Sequence, residues 1–200
     1  MITINPFSEL SALIPPLAMQ AYVILMVIFV AGGTILDMAH KKSAKYFFQN
    51  SQKAKKSATN EVSGSEKVSI AFKTATNEVL TSSEFCSTKR RVAHLLTMYG
   101  FLLFIITTVI MIFNYSTTSN TPSILPLLWH LGAAMLCVGG YWFWFFIRVD
   151  VAAEGNKWYR VVRADLFVLS LLATCSFALI WSYLQASGIA GWQTLFFGLF

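Results

Sequence analysis

Three histidines and three cysteines carry most of the chemistry available to this chain. His94 follows the cations Lys89, Arg90 and Arg91 and opens an unbroken apolar run, and His130 stands beside Trp129 inside another such run. An imidazole within an apolar span costs free energy unless it is partnered, so each is a functional candidate. In a bundle of apolar helices the leading roles are axial haem ligand and quinone or proton site. His94 and His130 are therefore the candidate cofactor-binding residues, for haem b or for a quinone. The plainer readings are an interfacial His94 that meets lipid headgroups and an interfacial hydrogen-bonding pair at Trp129 and His130. At ~1.5 Å of rise per residue the two histidines differ in depth by roughly 20 Å, so they cannot share one iron. His40 precedes Lys41 and Lys42 and reads as a solvated flanking residue. A second ligand to an iron at His94 is expected beyond residue 200.

Cys86, Cys137 and Cys175 are scattered without a Cys-x-x-Cys spacing. This chain alone therefore offers no ligand set for an iron–sulfur cluster or a structural zinc. Cys137 and Cys175 read as small packing residues within spans, and Cys86 as a loop thiol ahead of the cations. No residue is assigned a catalytic role, and the one metal considered is a haem iron at His94.

The elements that position these residues follow from hydropathy. The chain is 56% hydrophobic and 12% charged over 200 residues, far from the composition of soluble domains. The fold class expected is all-α, a polytopic transmembrane helix bundle with four complete spans plus the start of a fifth. The spans cover residues 17–36, 93–114, 124–147 and 164–184, each about long enough to cross ~30 Å of hydrocarbon. Residues 192–200 are apolar but cover only ~14 Å of helix, and read as the beginning of a truncated fifth span. Residues 1–16 read as an external tail. A cleaved signal peptide does not fit, because the positive cluster follows the first apolar stretch instead of preceding it.

Eleven of the fifteen Lys and Arg lie between residues 41 and 91, and the other four between 148 and 163. The net charge of +6 is thus placed beside the spans, as positive-inside loops require, and nucleic acid is set aside as a partner. The bacterial or archaeal cytoplasmic (inner) membrane is expected, with the N-terminus outside and the loops 37–92 and 148–163 in the cytoplasm. Within the first loop, Ser63-Gly64-Ser65-Glu66 has the form of a capping box. Val68, Phe72, Ala75, Val79 and Leu80 then recur at helical spacing, which predicts an amphipathic helix over 65–80. The second loop mixes Asp150, Glu154 and Asp165 with its bases, a composition suited to docking a soluble partner. The docking candidates are Lys89, Arg90, Arg91, Arg148, Arg160 and Arg163. Residues 141–146, Tyr-Trp-Phe-Trp-Phe-Phe, suit an interfacial aromatic belt or a wall beside a haem or quinone ring. Gly132, Cys137, Gly139 and Gly140 permit close approach of a neighbouring helix. A small transporter is disfavoured, since the four spans carry no buried charge.

Several segments together resemble a known family. They are Ser-Ser-Glu-Phe-Cys at 82–86, Lys-Arg-Arg-Val-Ala-His-Leu-Leu-Thr-Met-Tyr-Gly-Phe at 89–101, Leu-Leu-Trp-His-Leu-Gly at 127–132, and Trp-Phe-Trp-Phe-Phe-Ile-Arg-Val-Asp-Val-Ala-Ala-Glu-Gly-Asn at 142–156, followed by Trp-Tyr-Arg-Val-Val-Arg-Ala-Asp-Leu-Phe at 158–167. They are similar to the AprM membrane-anchor subunits that accompany dissimilatory adenylylsulfate reductase. More distantly, the layout is similar to nitrate-reductase gamma subunits and to the membrane domains of quinone-interacting oxidoreductase (Qmo-type) and heterodisulfide reductase complexes. The resemblance implies a five-helix anchor that docks a cytoplasmic flavin and iron–sulfur reductase, resembling adenylylsulfate reductase, and links it to the quinone pool of the membrane. In the wider cytochrome b group the haem histidines lie on the second and fifth spans, and His94 matches only the first of these. The flavin chemistry would belong to the partner. The alternatives are a b-type cytochrome subunit for another soluble reductase and a cofactor-free structural anchor.

Overall fold

A computed structural model describes residues 2–40, 43–57, 63–115, 121–148 and 159–189. Among the described residues seven α-helices follow in chain order: α1 Pro6–Leu10, α2 Pro16–His40, α3 Ser43–Ser57, α4 Gly64–Thr74, α5 Thr88–Asn114, α6 Ile124–Trp142 and α7 Leu166–Ala186. A π-helical segment, Ala75–Leu80, continues α4, and another, Phe143–Ile147, continues α6. No strand occurs among the described residues. The fold is an all-α bundle, and among the described residues four helices are long and apolar enough to cross a membrane, namely α2, α5, α6 with its π extension, and α7. The expected fifth span at 192–200 lies outside the described residues, as does most of the loop 148–163.

The bundle is built on α5 and α6, which pack antiparallel through small residues. Ala93 and Gly100 on α5, and Gly132 and Gly139 on α6, repeat at seven-residue spacing and bring backbone against backbone. A Cβ on Gly100 would lie 2.7 Å from the Leu136 nitrogen, and one on Gly132 would lie 2.7 Å from the Phe104 nitrogen. On Gly139 it would meet the Ala93 carbonyl oxygen at 2.8 Å. Only glycine fits where main chains approach so closely, the arrangement that drives helix association in a lipid-like environment. Gly140 plays a lesser part, facing the flexible Leu172 side chain of α7. By contrast, Gly32 and Gly33 of α2 face open space.

The end of the bundle away from the basic loops closes around Trp129. Its ring is 1% exposed and stacks on Phe104, with ring centroids 5.3 Å apart. Edge-on, it meets Phe7 and Trp181, and its Nε1–H donates to Thr108 Oγ1 at 2.9 Å. The N-terminal residues, expected as an external tail, are part of this core. Asn5 caps α1 by accepting from the Phe7 nitrogen, and its amide donates to Tyr115 O and Thr121 Oγ1. Phe7 and Leu10 are buried, and Gln185 of α7 donates to Pro6 O. Helix α2 stands at the rim, where Met19 and Val23 join the core and Gln20 donates to Ile112 O of α5. Its remaining apolar side chains, Val27, Phe29 and Val30 among them, are exposed, as expected of a lipid-facing helix.

Helix α3 was not expected from the sequence, because Ser43–Ser57 mixes three aromatic residues with four lysines in a polar frame. The amphipathic helix expected at 65–80 is present as α4 and its π extension, with Ser63 accepting from the Glu66 nitrogen as its cap. Its Val68 and Phe72 are exposed.

The close α5–α6 contact yields a direct test. Gly132→Val should lower thermal stability by about 1–3 kcal/mol through forced separation of two backbones, whereas Gly32→Ala should leave it nearly unchanged. Thermal unfolding of the detergent-solubilised protein, followed by circular dichroism, compares the two.

Candidate functional site: an apolar cleft at the basic end

Antiparallel pairing gathers the start of α5, the end of α6 and the start of α7 at one end of the bundle. This basic end contains a cleft of about 390 Å³. From α5 it is lined by Arg90, Ala93, His94 and Thr97, and from α6 and its extension by Leu136, Gly140, Phe143 and Ile147. Helix α7 supplies Phe167, Val168, Leu171 and Leu172, and Phe85 comes from the loop before α5. The α6 residues are spaced so as to share one helical face. The π segment over Phe143–Ile147 widens the last turn there, a feature common at functional sites.

The walls are aliphatic and aromatic, with Arg90, His94 and Thr97 the polar side chains. Thr97 is turned onto its own helix, donating to Ala93 O at 2.8 Å. His94 is exposed and lies against Phe85, with ring centroids 5.1 Å apart at 47°. The loop carrying Phe85 is fastened to α5 by two bonds. Tyr99 Oη donates to Leu80 O at 2.7 Å, and Arg91 Nε donates to Thr81 O at 2.8 Å.

Arg148, which follows the cleft residue Ile147, ties the end of α6 to the start of α7. Its Nε donates to Asp165 Oδ1 at 3.0 Å, and its guanidinium sits 4.3 Å over the Trp144 ring. Asp165 also accepts from the Val162 nitrogen at 2.9 Å. These hydrogen bonds, first that from Arg148 and then that from Val162, hold the Asp165 carboxyl below its ordinary pKa. Asp165 in turn raises that of Arg148. A second cavity, of about 610 Å³, opens beside the first between Ser87, Lys89, Arg90 and the aromatic residues Trp142, Phe145 and Phe146.

The residues expected from sequence thus divide. His94 and Arg90 meet at the cleft, and Phe143 of the aromatic run forms one wall. Trp144 is buried beneath Arg148 instead of belonging to an outer belt. Arg91 and Arg148 make intramolecular bonds, and the side chains of Lys89, Arg90, Arg160 and Arg163 are exposed. His130 belongs to the other end. Its Nδ1 lies 2.6 Å from Pro126 O and its Nε2 lies 2.6 Å from Ser182 Oγ. A carbonyl only accepts, so Nδ1 carries the proton and Nε2 receives the Ser182 hydroxyl. His130 is thereby a strut between α6 and α7.

The helix register also refines the depth of the two histidines. Ala93 lies against Gly139, so His94 is about level with Gly139, nine residues along α6 from His130 and ~14 Å away at 1.5 Å per residue. That is less than the 20 Å expected from span edges, but still too far for one iron. A haem with two axial imidazoles needs a second donor near His94. His130 has both ring nitrogens engaged, and His40 is exposed at the end of α2. Among the described residues no group of three or more His, Cys, Asp or Glu is gathered to hold a metal.

Sequence reasoning missed the partnership of Cys137 and Cys175, whose Sγ atoms approach to 3.0 Å across the α6–α7 interface. Their separation along the chain carries no local signal. Comparison with protein-family models, with curated proteins and with solved structures finds no match.

The Arg148–Asp165 pair gives a pH signature. Because the folded state holds the Asp165 pKa down, its contribution to stability is present above the unfolded carboxylate value, ~3.9. That contribution is lost as pH falls further, through the folded value. Wild-type protein should therefore lose thermal stability below about pH 4 more steeply than Asp165→Asn, and melting curves across this range measure the difference.

Proposed function

We propose that the chain is the membrane subunit of an oxidoreductase complex, binding a lipid-soluble quinone in the basic-end cleft and docking a soluble reductase on the same face. The observation that carries this reading is the cleft itself, apolar and aromatic along its walls with His94 and Arg90 at its rim. A quinone has the matching chemistry, a flat ring and an apolar tail with two carbonyl oxygens that accept hydrogen bonds. Phe85, Phe143 and Phe167 offer aromatic surface to the ring, and the imidazole and guanidinium offer donors to its oxygens. An imidazole both donates and accepts, which suits His94 to carry a proton to a reduced quinone oxygen.

The concentration of cations at this end supports a cytoplasmic orientation by the positive-inside rule. Lys89, Arg90, Arg160 and Arg163, exposed around the cleft, form the surface on which the reductase docks. Its resemblance to the adenylylsulfate reductase anchors makes a cytoplasmic flavin and iron–sulfur reductase of that kind the partner, in dissimilatory sulfur metabolism. Flavin and cluster chemistry then reside in the partner, and this chain supplies anchorage and access to quinone.

A titration of the purified full-length protein with decyl-ubiquinone, followed by quenching of tryptophan fluorescence, tests the site. Saturable binding is expected, weakened about tenfold in His94→Ala and in Arg90→Ala, which corresponds to loss of one charge-assisted or strong hydrogen bond of ~1.5 kcal/mol. Equal affinity in all three proteins contradicts the assignment.

A further inference from the structure

The apolar seam between α6 and α7 contains, besides His130 and Ser182, a group of reactive polar side chains. Cys137 Sγ is 3.0 Å from Cys175 Sγ and 3.8 Å from Ser176 Oγ, and Ser176 Oγ is 2.8 Å from the hydroxyl of Tyr141. Cys175 is fully buried and Cys137 partly exposed. Tyr141, 41% exposed, carries the chain of polar atoms out to the surface of the bundle. Two thiols on neighbouring helices, their sulfurs closer than van der Waals contact, need a movement of only ~1 Å to reach the ~2.05 Å bond of a disulfide.

Position adds a second observation. The α7 wall of the cleft is formed by Val168, Leu171 and Leu172, and Cys175 continues that stripe one turn deeper. Its thiol donates to the Leu172 carbonyl at 3.3 Å. On α6, Cys137 lies between the cleft residues Leu136 and Gly140 in sequence. The thiol pair therefore adjoins the inner end of the cleft, one residue from Leu136 on α6 and one turn past Leu172 on α7, without itself lining it.

We propose that Cys137 and Cys175 are a redox-active dithiol that a quinone oxidises to a disulfide joining α6 to α7. Both S–H bonds break and one S–S bond forms. The two electrons and two protons released reduce one quinone to quinol, and Ser176 and Tyr141 provide hydroxyls along which protons move. Each turnover is balanced as two thiols plus quinone giving disulfide plus quinol. The inference rests on the cleft being a quinone site, since that is what brings the oxidant to the pair.

The test uses the full-length protein in phospholipid vesicles with decyl-ubiquinone, whose fully substituted ring disfavours addition of thiols. After incubation the protein is denatured, treated with N-ethylmaleimide and weighed intact. Reduced protein should take up three maleimides, one for each cysteine. Quinone-treated protein should take up one, at Cys86, and dithiothreitol should restore three. Cys175→Ser should take up two with or without quinone. His94→Ala should form the disulfide about tenfold more slowly at limiting quinone, in step with its weaker binding. Three maleimides after saturable quinone binding overturn the dithiol and leave the quinone site standing. Loss of saturable binding together with three free thiols overturns both. A disulfide that forms without saturable binding, at the same rate in His94→Ala, upholds the dithiol and removes the cleft as its source of oxidant.

Discussion

The close packing of α5 on α6 is the constraint on which the rest of this structure depends. In a lipid-like environment apolar side chains gain little by leaving one another's company for lipid tails, so helix association rests on contact and shape. Gly100, Gly132 and Gly139 remove the side chains that would hold the helices apart, and main-chain atoms meet directly. That contact fixes the antiparallel register. The register places the start of α5 beside the end of α6, and so brings the cations that precede His94 to the aromatic run that ends α6.

Two ends of different character result. The end holding α1 is closed, with Trp129 fully enclosed by Phe7, Phe104 and Trp181 and its indole nitrogen bonded to Thr108. His130 and Ser182 brace it. The basic end is open, with a cleft between α5, the end of α6 and the start of α7. Arg148 and Asp165 fix the approach of α7 at that opening. Rigidity at one end and a cleft at the other suit a subunit that must stay in the membrane while exchanging a small ligand at the face where its charges lie.

Much of this was legible in the sequence because long apolar runs have few alternatives to helices. The spans at 93–114 and 124–147 fall within α5 and within α6 with its extension, and the Ser63 cap and the 65–80 periodicity correspond to α4 and its π segment. The clustered small residues of α6 mark a packing surface in the sequence itself, but Gly100, their counterpart on α5, is a single glycine in an apolar run and has no visible partner until the register is known. Asn5 followed by Pro6 is a helix-start signal, yet a five-residue helix has no periodicity to reveal that Phe7 is core. The approach of Cys137 to Cys175, and the commitment of His130 to Ser182, are tertiary facts between helices separated by a loop. His94 kept its place as a candidate, and what the fold added was its company: Arg90, Phe85 and a cleft.

The ligand proposed for the cleft beside His94 is a quinone. Photolabelling the membrane-embedded protein with an azido-quinone, followed by peptide mapping, tests it most directly. The label is expected on the cleft segments, around Phe85 and His94, Phe143 and Ile147, and Phe167 to Leu172, with competition by unlabelled quinone. Label confined to the exposed face of α2 or to the Trp129 end, and undiminished by competitor, would contradict it.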